Sequence, residues 1–122
     1  MAGGRVTVEA RSSMGDLVVE ARLLDSFLER FFGLAFRKVH TVGEPVILFP
    51  CSSIHTFFMR FRIDAFFVSS SGEVVKIIRN IPPNRIILPV KGARLVLETP
   101  AEKIYLPDIK NVFIPHLIEN NP

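Results

Sequence analysis

Cysteine, tryptophan and glutamine are nearly or wholly missing from this chain: its 122 residues include one Cys, no Trp and no Gln. A single thiol excludes an internal disulfide and any Cys-rich structural metal site. The fold must therefore be held by its own core, and a chain this long buries roughly 65 to 70% of the surface that its unfolded form exposes. Hydrophobic residues make up 48% and charged residues 22%, a balance that rules out wholesale disorder. One domain over residues 1–122 is expected. Long apolar runs are lacking too. The longest uncharged stretch, residues 45–59, has 15 residues, is broken by Pro50 and carries Ser52, Ser53, His55 and Thr56. It falls short of the ~18 residues that a membrane helix requires. The first residues lack the basic start and apolar run of a secretory signal. These absences predict a soluble, cytoplasmic protein with no membrane association.

Charge of either sign is modest, with 15 Lys+Arg against 12 Asp+Glu and a net charge of +3. So small a surplus gives little drive toward a polyanion, and nucleic acid is not an expected partner. No nucleotide, metal or strong catalytic motif occurs, so neither a metal nor another cofactor is expected.

What is present is a succession of short strand patterns. Residues 5–10 alternate Val6 and Val8 with Thr7 and Glu9, and Ser13, Gly15 and Asp16 separate them from a second run at 17–23, which predicts an opening hairpin. Ser26 with Glu29 fits a capping box, Phe27 and Phe31 stand four residues apart, and Gly33 suits a helix end, predicting one short helix near residues 26–32. Further strands are expected at 46–49, 54–61, 63–69, 74–79 and 94–99, with a turn at Ser70, Ser71 and Gly72. Pro82, Pro83 and Pro89 confine 85–88 to an edge strand or an extended loop. With no helical crossover evident, the pattern predicts a mainly β protein, a compact antiparallel sandwich or barrel-like domain.

Reactive side chains gather in residues 51–59. If that segment is extended, Cys51, Ser53, His55, Phe57 and Met59 share a face. A nucleophile and base could be read there, with Cys51 or Ser53 attacking, His55 as base and Asp64 orienting the imidazole. Strand geometry weighs against this reading, because Cα atoms four residues apart lie about 13 Å from each other. A small packed thiol and a histidine satisfied by backbone are the plainer expectation. Arg60 and Arg62 fall on one strand face with Asp64, as an anion-binding edge or as a solvated row in which Asp64 pairs with Arg62 or a neighbouring strand. The several Phe residues between 57 and 67 are expected in the core. Glu98 closes an apolar strand and is expected to meet an Arg or reach water.

Four segments, CSSIHTFFM at 51–59, IDAFF at 63–67, GEVVKI at 72–77 and ARLVLETPA at 93–101, together resemble the domain-of-unknown-function 192 family, also called uncharacterised protein family 0127. Glu29, Arg30, Gly33, Leu34 and Arg37 resemble its upstream E-R-x-x-G-L-x-x-R stretch. The resemblance spans about residues 24–101 and implies a compact, mostly β sandwich or barrel, with no established activity, substrate or cofactor. Its motif positions fall on Arg30, Gly33, Cys51, His55, Thr56, Met59, Asp64, Glu98 and Pro100. The chain departs from the pattern at Arg62, where a proline is usual, at Asn84, where an aromatic is common, and at Thr99 and Glu102, where Leu and Gly are typical.

The functional expectation is a binding domain, leaning away from an enzyme, in which Ser53, His55, Arg60, Asp64 and Arg85 receive a small anionic ligand or a protein segment. The alternatives are a hydrolase or transferase that uses Cys51 or Ser53 with His55, and a weak nucleic-acid binder that uses Arg60, Arg62, Lys76, Arg79 and Arg85.

Overall fold

The computed structural model describes residues 4–24, 44–57, 59–101, 109–115 and 117. Among the described residues there are strands and no helix; the helix expected near 26–32, with Arg30 and Gly33, lies outside them. The alternating valines do open a hairpin, β1 (Arg5–Ser12) with β2 (Gly15–Leu24), and Ser12 pairs with Gly15 across the turn. Gly15 there adopts φ 137°, which a residue without Cβ tolerates.

After it come β3 (Val46–Leu48), β4 (Ile54–His55), β5 (Ile63–Val68), β6 (Val74–Ile81), β7 (Ile86–Ile87), β8 (Leu95–Pro100) and β9 (Ile109–Phe113). Seven of these form one sheet in the order β6, β5, β8, β3, β2, β1, β9, while β4 and β7 pair separately. The two outer strands of the large sheet meet: Glu73 bridges Asn111, and the Val112 amide donates to the Gly72 carbonyl at 2.7 Å. The sheet is thus curled into a nearly closed barrel, which leaves little free edge.

The expectation of wholly antiparallel pairing needs one correction. Strands β2 and β3 run parallel, with Arg22 opposite Val46 and Leu24 opposite Leu48. A parallel pair needs a connection of a dozen or more residues, and residues 25–45 supply that length. The strand expected over 54–61 is also cut short, since only Ile54 and His55 pair in a ladder. Beyond them the chain turns, with the Met59 amide donating to the Thr56 carbonyl.

Two cores result. Val8, Ala10, Ala21, Ile47, Phe66, Val68, Leu95, Leu97, Ile109, Val112 and Ile114 fill the barrel interior. Val46, Leu48, Ile63, Ala65, Phe67 and Val96 point the other way and are joined by Ile54, Met59 and Ile81. Residues of β3 and β5, and 95–99 of β8, are therefore buried on both faces, which is why they read as unbroken apolar runs. Phe66 and Phe67 are core residues, as expected. Glu98 does not reach water: it is fully buried, in register with Val46 and Ala65.

Phe66 packs in the barrel interior with the Arg79 guanidinium 5.3 Å from its ring centre. Phe66→Ala is expected to lower unfolding free energy by about 3–5 kcal/mol, read as a reduced urea midpoint with an unchanged m-value.

Candidate functional site

The segment that covers the outer core runs from Pro50 to Phe61, and the second piece of cover is the proline-flanked stretch around β7. Thr56 ties the two together. Fully buried, its hydroxyl donates to the Pro82 carbonyl at 2.7 Å and accepts the Arg85 amide at 2.8 Å. Its own amide donates to the Arg85 carbonyl at 2.8 Å, and its carbonyl accepts the Asn84 amide at 3.1 Å. Asn84 adopts φ 66°, a left-handed conformation that Asn tolerates better than most residues with a side chain. The β4–β7 pairing, Ile54 with Ile87 and His55 with Ile86, continues from this knot.

Residues of both pieces line an open groove of about 810 Å³, formed by 50–55, Phe57, 86–89, Ala93 and Arg94. Its walls are mostly hydrocarbon. Ile86 on β7 and Leu88, just past its end, are 63% and 74% exposed beside the groove, while Ile87 between them packs onto the outer core. Arg94 is the one Arg, Lys, Asp or Glu among the lining residues. Its backbone is pinned on both sides, by its amide to the Val68 carbonyl at 2.7 Å and by the Cys51 amide to its carbonyl at 2.9 Å. Its guanidinium lies 5.1 Å from the centre of the Phe49 ring. Among the described residues no carboxylate pairs with it.

The residues singled out from sequence divide in two. Cys51, Ser53 and His55 line the groove; Arg60, Asp64 and Arg85 do not. Asp64 is buried on β5, where its Oδ2 accepts Arg79 Nη1 at 3.1 Å and its Oδ1 accepts the Asn80 amide at 2.8 Å. The partner is thus an arginine of the neighbouring strand; Arg62 instead donates to the Asn80 carbonyl at 3.1 Å. Asn80, at φ 59°, sits where the β5–β6 register shifts, and the Asp64 carboxylate holds that irregularity in place. Arg60 and Arg85 are exposed. Sequence reasoning passed over Arg94, Ile86 and Leu88 as groove residues. The available signal was a lone arginine opening an apolar strand, and apolar residues between prolines where no partner strand was evident.

The chemistry of Cys51 and His55 follows from their hydrogen bonds. Cys51 is half-buried against the outer core, and its thiol donates to the Ser53 carbonyl at 3.0 Å, a contact that favours the protonated form. His55 stacks on Phe57, ring centres 5.2 Å apart, and its Nδ1 accepts the Phe57 amide at 3.1 Å. The neutral ring therefore carries its proton on Nε2. A base acting through Nε2 would need the other tautomer, whose Nδ1–H would face the Phe57 N–H. The Cys51 thiol and the His55 Nδ1 are thus each engaged with a neighbouring backbone group. Among the described residues no group of three or more His, Cys, Asp or Glu side chains is placed to hold a metal ion, and no helix is long and apolar enough to cross a membrane.

Alkylation of native Cys51 by iodoacetamide at neutral pH is expected to be slow and to change less than about twofold in His55→Ala. Thr56→Val keeps the shape but strands the Pro82 carbonyl and the Arg85 amide. It should cost about 2–3 kcal/mol in urea unfolding.

Comparison with known proteins places this architecture. The DUF192 family (Uncharacterized ACR) matches residues 8–111. A UPF0127 protein of Pyrococcus furiosus is 35% identical over 88 residues, covering 70% of this chain and 75% of that protein. One of Pyrococcus horikoshii is 37% identical over 86 residues, covering 66% and 72%. Among solved structures, a Sinorhizobium meliloti protein described as a candidate transcription regulator superposes with a TM-score of 0.78 at 16% identity, covering 93% of this chain and 96% of its own. A Novosphingobium aromaticivorans protein of unknown function does so with a TM-score of 0.73 at 22% identity, covering 88% and 83%. At those identities the two structures speak for the fold alone. With its motifs, its barrel and a match over most of its length in agreement, the chain belongs to the DUF192 family, also known as UPF0127, whose function is unknown.

Proposed function

We propose that the domain binds a small anionic ligand with an apolar body in the groove between residues 50–57 and 86–94. The observation that carries this reading is the composition of the groove: hydrocarbon walls, and a single guanidinium, Arg94, with no carboxylate beside it among the described residues. About 810 Å³ falls within the range of small-molecule sites, which pair mostly apolar walls with a few placed polar groups. Cys51, Ser53 and His55 then act as wall and polar trim. Arg60 and Arg85 stand outside the groove, where they add a general positive field.

A Cys/His hydrolase or transferase is less well supported, because the Cys51 thiol and the His55 Nδ1 are each engaged with neighbouring backbone. Nucleic-acid binding draws less support as well: Arg79 is occupied with Asp64, and Phe66 and Phe67 are buried, leaving no stacking platform on those two rings.

The test is a two-dimensional amide NMR titration with 8-anilinonaphthalene-1-sulfonate, an apolar anion. Shifts should cluster at residues 51–57 and 86–94 and disappear in Leu88→Asp, an exposed position that the fold tolerates. Shifts confined elsewhere, or none, would remove the groove as the binding site.

A further inference from the structure

The way Arg94 is held narrows the class of anion. Its guanidinium carbon lies 5.1 Å from the centre of the Phe49 ring, and among the described residues no carboxylate pairs with it, so an anion in the groove would meet an uncompensated guanidinium. An edge of two parallel N–H groups matches the two oxygens of a carboxylate. The same site is poorly matched to a phosphate ester, whose second charge would find no second cation: no Lys and no other Arg is among the described lining residues. Sugar acids and other highly hydroxylated anions are disfavoured for a different reason. Ser52, Ser53 and His55 offer side-chain partners on one wall, but hydroxyls laid against Ile54, Ile86, Leu88 and Pro89 would find none there.

The rim supplies the other half of the argument. Ile86 and Leu88 are 63% and 74% exposed and stand two residues apart beside the groove, an apolar pair placed where a ligand could cover it. Pro89 caps that short strand on one side and Pro82 and Pro83 precede it on the other, which limits its extension by pairing with another chain. An alkyl chain laid along the groove would cover both side chains without needing a backbone ladder.

Resting on the groove reading above, we infer that the ligand is an aliphatic monocarboxylate, with its carboxylate on the edge of Arg94 and its alkyl chain against Ile86 and Leu88. The test is isothermal titration with three eight-carbon probes, octanoate, 1-octanol and octylammonium, into the wild-type chain, Arg94→Gln and the remote control Arg11→Gln. Octanoate should bind about tenfold tighter than octanol to the wild type and to Arg11→Gln. In Arg94→Gln that preference should vanish while octanol binding stays within twofold. Octanol binding as tightly as octanoate, or octylammonium binding tightest, would overturn the carboxylate assignment while leaving an apolar groove. Absence of binding by all three would overturn the assignment too, and the amide-shift map with the sulfonate probe then tells whether the groove itself fails. Arg94 is exposed and meets the inner core through Phe49, so an unchanged melting midpoint in Arg94→Gln verifies that the fold is intact.

Discussion

Strands β3, β5 and β8 stand in the middle of the curled sheet and are apolar on both of their faces. One face is satisfied by closing the barrel around Phe66, Leu95 and Leu97. The other would lie in water unless something covered it, at roughly 25 cal/mol for each Å² of apolar surface left exposed. Among the described residues that face is covered by the turn-rich segment after Pro50 and the proline-bounded stretch around β7, which share only the short β4–β7 pair. Irregular backbone must find its hydrogen bonds one at a time. That requirement makes Thr56 central: its hydroxyl, amide and carbonyl together tie residues 82–85 to the segment above the outer core.

The groove is a consequence of this construction. Two pieces of cover are joined at Thr56, through the β4–β7 pair and again where the Val90 amide donates to the Ser52 carbonyl at 2.8 Å, and the opening that they line is walled by side chains of that cover. It is apolar because its walls belong to the cover of a core. Arg94, the cation among its described lining residues, sits just before β8, so the charge is carried on a backbone hydrogen-bonded on both sides. Asp64, by contrast, spends its carboxylate inside the fold, on Arg79 and the Asn80 amide, and serves the shape of the β5–β6 pair.

Much of this was legible along the chain. The hairpin of β1 and β2, the turn at Ser70, Ser71 and Gly72 and the apolar strands β5 and β8 follow from local pattern, since alternation and apolar runs report burial directly. The clustering of Cys51, Ser53 and His55 was legible too, and these three do share the groove. The parallel pairing of β2 with β3 was not, because strand direction depends on a long connection and on what lies beside it. Nor was the early end of β4: Thr56 and Met59 turn the chain through hydrogen bonds whose partners, apart from one, are more than twenty residues away.

The sequence by itself determined a mainly β protein with a disulfide-free core, and it marked residues 51–59 as the place where polar chemistry meets apolar packing. Only the tertiary structure decided what that chemistry is. It committed the Cys51 thiol to a carbonyl and the His55 Nδ1 to an amide, moved Asp64 into the frame of the sheet, and brought Arg94 and the β7 side chains from more than thirty residues away to finish the site. Hydrophobic pattern is a property of neighbours along the chain, whereas the pairing of a charge or a hydrogen-bonding atom depends on whichever group the closed barrel places beside it.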